Sequence, residues 1–245
     1  MAGERGGAPL WVVALVALGS AAIGGGIVAG ADRLRGGGAA GGDAVRDYLY
    51  EHPEVLPEAM DRLRARETAK IVDSNEAKLL KPFDSAWAGN PDGDVTVVAF
   101  MDYACGYCRA SLPSVERLLA EDKGVRIVYR ELPILSEASR DAANWALAAA
   151  EQGKFKPFHD RLYAAGQLSP ATIQATVAAV GLDRARAERV IASPRVEQEI
   201  AANLNIVRDL GASGTPTWVI GDQVINGAVP YEAMKAAVDK ARQKS

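Results

Sequence analysis

Apolar positions along this chain change their period several times, and each change marks an element. From Leu10 to Ala29 an uncharged, mostly apolar run is about long enough to cross a ~30 Å hydrocarbon layer as a helix. Gly36 to Gly42 follows, a glycine- and alanine-only stretch that cannot bury a core and reads as a flexible tether. In Asp43 to Lys81, the residues Val45, Tyr48, Leu49, Val55, Leu56, Ala59, Met60 and Leu63 recur at three-to-four spacing, a helical stripe. Pro53 and Pro57 interrupt it, which predicts a short helix, a turn at His52-Pro53 and a longer helix restarting near Glu54.

The pattern then switches. Val95-Thr96-Val97-Val98-Ala99-Phe100-Met101 is β-branched enough for a buried strand. From Arg109 to Glu121, Leu112, Val115, Leu118 and Leu119 return to helical spacing. Ser136 to Leu210 is alanine-rich and broken by Gly153, Gly166-Gln167-Leu168-Ser169-Pro170, Gly181 and Ser193-Pro194. Those stops and starts predict four or five short helices. Beyond Pro216 come a strand from Thr217 to Ile220, a turn at Gly221-Asp222, a strand Val224-Ile225-Asn226 and a last helix from Tyr231 to Arg242. There is no convincing internal repeat.

Chemistry concentrates at one point of this pattern. Cys105 and Cys108 are the only cysteines of the chain, and they sit where the Val95–Met101 strand hands over to a helix. The unpaired amides and the positive dipole end of a first helical turn favour a thiolate on Cys105, which is also expected to face solvent; Cys108 lies one turn inside. A permanent local disulfide or a pair of inert core thiols would leave the same short CxxC spacing. Structural zinc wants four nitrogen or sulfur ligands, and the two histidines, His52 and His159, lie far off in sequence. Two-coordinate copper(I) on the two thiolates remains chemically allowed. His159, among Phe155, Phe158 and Leu162, reads as a packed helix residue and not as a catalyst. Downstream, Pro216 immediately precedes a β-rich run, a place where a proline cannot donate to the ladder and where a cis bond makes a tight turn.

Charge adds little. A net charge of −3 with no basic block gives no footprint for nucleic acid. Ala29-Gly30-Ala31 has the small-x-small form of a signal-peptide cleavage site, yet the apolar run exceeds the usual core of about 7–15 residues, so an uncleaved anchor is expected ahead of a cleaved signal.

Taken in order, Phe100 to Cys108, Glu131-Leu132-Pro133-Ile134-Leu135, Gln152-Gly153-Lys154-Phe155 and Gly214-Thr215-Pro216-Thr217 resemble the DsbA family of exported thiol-disulfide oxidoreductases over residues 83–245. The resemblance implies an α/β thioredoxin-like fold with a helical insertion at about 136–210. It makes Cys105 the nucleophile, Cys108 the resolving thiol, and Thr215-Pro216 a cis-proline loop that offers its backbone to the substrate chain. It implies no cofactor beyond a redox-active Cys105–Cys108 disulfide and no resident metal. Its partners would be exported cysteine-containing proteins and a membrane redox enzyme, on the periplasmic or extracytoplasmic side of the membrane. Val45-Arg46-Asp47-Tyr48-Leu49, with Glu51-His52-Pro53-Glu54-Val55-Leu56, is similar to the amino-terminal oligomerisation region of the ScsC branch, associated with copper tolerance. The implied organisation is an anchor and linker in 1–42, a helical segment in 43–82 that self-associates through 43–66, and the catalytic domain in 83–245.

Two departures bear on direction. The residues between the cysteines are Gly106-Tyr107, similar to disulfide isomerases and unlike the Pro-His of the strongly oxidising members, and Thr215 before the proline is also isomerase-like. Tyr107 brings no charge to stabilise a thiolate, so the couple is expected nearer about −180 mV than about −120 mV. Ala99 stands where thioredoxin carries a buried carboxylate, and Glu131, on an adjacent central strand, is the expected substitute proton acceptor. The Thr215 hydroxyl is expected to hydrogen-bond a thiolate. The reading is a disulfide isomerase, with a dithiol oxidase as alternative and a copper(I)-binding protein of a metal-tolerance system as the reading from another class.

Overall fold

The computed structural model describes residues 42–243, and the chain divides into two compact units, one ending at Arg62 and the other starting at Leu63. The apolar run Leu10–Ala29 and the glycine-rich tether lie outside the described residues. Among the described residues, no helix is long and apolar enough to cross a membrane.

In the first unit, helix α1 covers residues 42–51, and the His52 amide donates to the Tyr48 carbonyl at 2.8 Å. Pro53 has no N–H with which to continue the ladder, so the chain turns. Helix α2 (Val55–Leu80) then begins; Pro57 falls in its first turn, where an amide would lack an intrahelical partner anyway. Val45, Tyr48, Tyr50, Leu56 and Met60 are exposed.

The second unit is built on five strands, β1 (Trp87–Gly89), β2 (Val95–Met101), β3 (Val125–Glu131), β4 (Thr217–Ile220) and β5 (Gln223–Asn226), in the spatial order β1-β3-β2-β4-β5. Only the β2–β3 pair is parallel. A parallel pair needs a crossover, and helix α3 (Gly106–Glu121) supplies it. Five helices lie between β3 and β4: α4 (Glu137–Glu151), α5 (Phe155–Ala164), α6 (Pro170–Ala179), α7 (Arg184–Ile191) and α8 (Pro194–Asp209); α9 (Tyr231–Arg242) closes the chain. Their starts follow local chemistry: Ser136 and Asp183 cap α4 and α7, and Ser169 with Thr172 forms a capping box ahead of α6, where Pro170 opens the first turn.

The two-residue period of β2 sorts the core. Val97, Ala99 and Met101 pack with Val115 and Leu118 of α3, Met234 and Val238 of α9, and the inserted helices. Val98 and Phe100 face the other way, onto Val72 and Leu79 of α2 and Ile206 and Val207 of α8. This is a thioredoxin-like α/β domain with inserted helices. Strand β1 was outside the sequence-based expectations because three residues are too few to show a period. Gly89, at φ 89°, is required there, since a Cβ would lie 2.5 Å from the Val125 carbonyl oxygen.

Arg130 joins the sheet to its helices. Its buried guanidinium reaches Glu199 Oε1 at 2.6 Å and Asn203 Oδ1 at 3.2 Å on α8, and the Leu79 and Lys81 carbonyls at 3.3 and 2.9 Å. A cation at the carbonyl end of α2 also opposes that helix's dipole.

Candidate active site

The dithiol is positioned by the end of β2. After Met101, the Asp102 carboxylate accepts the Ala104 amide at 2.8 Å and the Ile134 and Leu135 amides at 2.9 and 3.0 Å. It thereby ties the approach to the cysteines to the segment after β3. Cys105 then takes the N-cap position of α3 with extended backbone, and its Sγ accepts the Cys108 amide at 3.3 Å. A sulfur here does what a serine or aspartate oxygen does at other helix starts. The helix begins at Gly106, earlier than the apolar spacing from Arg109 indicated, because the capped turn includes the CxxC segment itself.

Both thiols are free. Cys105 is 5% exposed and Cys108 is fully buried, so the expectation that Cys105 faces solvent is corrected: it is nearly enclosed, and Tyr107, 70% exposed, stands beside it on the surface. Burial pushes the Cys108 thiol well up, only partly offset by the Asp102 backbone, while neighbouring Cys105 adds to the rise. A Cβ at Gly106 would meet nothing within 4 Å, so the space beside that residue is open.

The loop before β4 closes the other side. The Thr215–Pro216 bond is cis, and the Thr215 carbonyl accepts from Cys105 Sγ at 3.2 Å. The loop is held by Gly227 N–H donating to the Pro216 carbonyl at 2.7 Å and by the Thr217 hydroxyl donating to the Gly214 carbonyl at 2.8 Å. The Thr215 hydroxyl is buried without a hydrogen-bond partner, although it favours the charged form of Cys108. The loop's bond to Cys105 is therefore made by the Thr215 backbone, while its hydroxyl acts on the side of Cys108.

Glu131 ends β3 opposite Met101. It is enclosed, and its carboxyl bonds Tyr103 Oη at 3.3 Å and neither sulfur; burial pushes its acid well above the usual carboxylate range. The structure thus brings Cys105, Cys108, Thr215 and Pro216 together, leaves Gly106 and Tyr107 at the surface, and bonds Glu131 to Tyr103 and to neither sulfur. His159, on α5, is buried against the Tyr129, Phe155 and Tyr163 rings. Asp102, Tyr103 and Tyr163 were missed in the sequence. Asp102 carried a usable signal, since aspartate readily bonds the amide two residues on. Tyr103 and Tyr163 carried none, because aromatic residues near a strand end or on a helix read as core. Among the described residues no cluster of three or more His, Cys, Asp or Glu is arranged to hold a metal ion.

Residues 96–239 match the DSBA-like thioredoxin domain, and residues 40–70 match the copper resistance protein ScsC N-terminal domain. A thioredoxin-like oxidoreductase from Silicibacter pomeroyi superposes with a TM-score of 0.63 at 40% identity, covering 66% of this chain and 98% of that one. Proteus mirabilis ScsC in a transitional conformation gives a TM-score of 0.65 at 27% identity over 82% of this chain and 93% of that one. The chain spans about a quarter of the length of the curated relatives it matches, among them the Na(+)/H(+) antiporter NhaA 3 of Salinispora tropica, 35% identical over 156 residues that make up 62% of this chain and 24% of that one. With a strand-CxxC-helix, a cis-proline loop facing the first sulfur and a family match over more than half its length, the chain belongs to the DsbA-like thioredoxin family of thiol-disulfide oxidoreductases and carries a ScsC-type amino-terminal domain ahead of it.

Proposed function

We propose that the protein is an extracytoplasmic disulfide isomerase, with Cys105 as nucleophile and Cys108 as the resolving thiol. The observation that carries the direction is the neutrality of the sulfurs' partners: Cys105 Sγ bonds the Cys108 amide and the Thr215 carbonyl, and the intervening dipeptide, Gly106-Tyr107, is uncharged. A cation beside the pair would stabilise the reduced form and make the disulfide a stronger oxidant. Without one the disulfide is a weaker oxidant, less able to drive net oxidation of substrate dithiols and so suited to reshuffling once a partner keeps the pair reduced.

In the proposed cycle the Cys105 thiolate attacks one sulfur of a substrate disulfide, that S–S bond breaks, and the departing substrate sulfur leaves as a thiolate. The mixed disulfide holds the substrate while its free thiolate attacks another of its own disulfides. A substrate thiolate finally attacks the linked substrate sulfur and expels Cys105, with no net gain or loss of electrons. Where no correct pairing is reached, Cys108 attacks Cys105 and releases the substrate reduced. Thr215 and Pro216 would present backbone to the substrate chain. A hollow of about 390 Å³ lined by Leu132, Ile134, Leu204, Val207 and Ala212 opens near this loop, and with exposed Tyr107 and Leu135 it offers apolar surface to a misfolded chain. Glu131, enclosed and bonded to Tyr103, which precedes Cys105 by two residues, would tune its redox behaviour.

The amino-terminal segment 43–66 would supply self-association, and the run Leu10–Ala29 the tether, so that several reduced sites meet exported cysteine-containing proteins. A membrane redox enzyme would keep the pair reduced. The test uses the chain lacking its first 42 residues, with and without 43–66, in a scrambled-ribonuclease assay with light scattering. The longer form should be oligomeric and restore activity, and the shorter should be monomeric and only oxidise or reduce. A monomeric longer form that merely oxidises dithiols makes the protein an oxidase instead. The ScsC-type domain match favours copper(I) as a second reading; it predicts stoichiometric metal uptake by the reduced protein that Cys105→Ser abolishes.

A further inference from the structure

Past the end of β3 a side chain takes over from the sheet. The Leu132 amide still donates to the Met101 carbonyl at 2.8 Å, carrying the β2–β3 ladder one residue beyond the strand. Pro133 has no amide with which to extend it. The next two amides, of Ile134 and Leu135, donate to one oxygen of Asp102, Oδ2, at 2.9 and 3.0 Å, and Ser136 then caps α4.

The rest of Asp102 belongs to the nucleophile. Its Oδ1 accepts the Ala104 amide at 2.8 Å, and its carbonyl accepts the Cys105 amide and the Tyr163 hydroxyl, each at 3.0 Å. Five donors thus converge on a residue that is 1% exposed: two from the turn into α3, two from the segment after β3 and one from α5. A carboxylate suits both sides at once, because it offers two oxygens and no N–H to oppose either set of amides.

What Asp102 holds in place is apolar. From residue 64 onward, the large apolar side chains left exposed among the described residues are Tyr107, Ile134 and Leu135. Tyr107 lies between the cysteines, and Ile134 and Leu135 are the two residues whose amides Oδ2 binds. Ile134 also lines the hollow of about 390 Å³, together with Gly211, Ala212 and Ser213. That last run leads into Thr215, whose carbonyl accepts from Cys105 Sγ at 3.2 Å. The hollow is therefore tied to the nucleophile twice, by the Thr215 backbone and by the Asp102 carboxylate. Scattered exposed apolar residues are ordinary; a group restricted to the reacting end of a domain marks a contact surface.

We propose that Asp102 is a specificity-determining positioning residue. Its carboxylate holds the Ile134–Leu135 rim at a fixed offset from Cys105, so that a substrate chain with apolar side chains beside its disulfide is captured with that disulfide presented to the nucleophile. The proposal rests on reading Cys105 as the exchanging sulfur. The exchange step itself is unaltered: the Cys105 thiolate attacks one substrate sulfur, the substrate S–S bond breaks, and the other substrate sulfur leaves as a thiolate. Asp102 supplies orientation, which matters most for a substrate that has an apolar side chain to anchor.

The test follows oxidation of the reduced full chain by two symmetric peptide disulfides, of Leu-Cys-Leu and of Ser-Cys-Ser, as a function of peptide concentration. The variants are Asp102→Ser, Ile134→Ser with Leu135→Ser, and all three together. A serine hydroxyl can still accept the Ala104 amide, but it has no second oxygen for the Ile134 and Leu135 amides. The preference for the leucine peptide, as a ratio of second-order rate constants, should fall about tenfold in Asp102→Ser, through a higher half-saturating concentration and not through the limiting rate. The double serine variant should lose the same preference, and adding Asp102→Ser to it should lower the ratio no further, because the side chains that the carboxylate places are already gone. An unchanged ratio in Asp102→Ser overturns the proposal, as does a further fall of the same size in the triple variant, which would make Asp102 a brace of the fold. If Asp102→Ser does not fold, the double variant carries the test, and a wild-type ratio there overturns the proposal as well. A wild type oxidised by neither peptide overturns the Cys105 reading and the proposal together.

Discussion

The amino-terminal helices and the catalytic unit treat polarity in opposite ways. Residues 42–62 turn Val45, Tyr48, Tyr50, Leu56 and Met60 outward. The catalytic unit turns Asp102, Arg130, Glu131, His159, Asn203 and Thr217 inward. An exposed apolar stripe at helical spacing gains stability from whatever comes to cover it, while an enclosed polar group is tolerated only when its partners are built around it. In the proposed reading the first region meets a second copy of the chain, and the second holds a chemistry in place. The sharpest break between them is made at the dithiol. Cys105→Ser should reduce mixed-disulfide formation to background, because Cys108 is fully buried and its thiol is pushed up, yet leave the association of the amino-terminal region unchanged. Trapping with a model disulfide peptide, together with light scattering, measures both. Exchange that survived on Cys108 would mean that the enclosed site opens far more than its packing implies.

Arg130 tests the inward-facing half. Arg130→Ala removes a guanidinium that serves Glu199, Asn203 and two helix-end carbonyls. Breaking a buried ion pair from one side leaves its partner uncompensated, so stability should fall by about 3 kcal/mol, read from urea midpoints at constant slope. Arg130→Met with Glu199→Leu should recover much of that loss, because well-packed apolar replacements of buried pairs are often neutral.

How much of each region was legible follows from the same contrast. The stripe in 43–63, the turn at His52-Pro53, β5 and the last helix rest on period and punctuation and were readable because exposed or half-buried elements keep a visible polar face, while the fully buried β4 was marked by Pro216 before it and the turn at Gly221-Asp222 after it. The cysteines were legible as the only pair in the chain. Arg130 and Glu131 were not readable as buried. Charged residues next to each other normally mark a strand leaving the core, and only the arrival of Glu199 and Asn203 from α8 and of Tyr103 from the β2–α3 turn permits both to stay inside. Those partners lie 69, 73 and 28 residues away in sequence, beyond any local pattern. β1 escaped for the opposite reason, being too short to have a pattern at all.

Buried Glu131 and His159 give the pH dependence a compensating form. His159 falls from 6.5 to about 3 in the folded chain, so its contribution is fully present above pH 6.5 and is lost as pH falls toward 3, where the unfolded state binds the extra proton. Glu131 is raised above its 4.5 reference: its contribution is present below that value and is lost as pH rises. Between about pH 4.5 and 6.5 the two dependences oppose one another. On acidification through this window, Glu131→Gln should therefore lose stability relative to the wild type and His159→Phe should gain it. Denaturant midpoints for the three reduced proteins across the window measure this, and parallel curves would show that the groups titrate as ordinary surface residues do.

The smallest effect on the chemistry, and the finest test of the contrast, comes from the exposed stripe. Leu56 and Met60 are four residues apart on α2 and both face outward, so Leu56→Glu with Met60→Glu places two charges on the proposed contact face without deleting backbone. Substitution at exposed helix positions usually changes stability by no more than about 0.5 kcal/mol, and glutamate is a good helix former, so the single chain should fold as before. Burying two carboxylates against a second copy is far more costly than burying Leu and Met. Association should therefore weaken until light scattering reports monomers, while the glutathione equilibrium of Cys105 and Cys108 stays within about twofold of wild type. Restoration of scrambled ribonuclease should fall with the oligomer. If the double variant remained oligomeric, the outward stripe would be a solvated face and the partner of this region would have to be sought elsewhere on the chain.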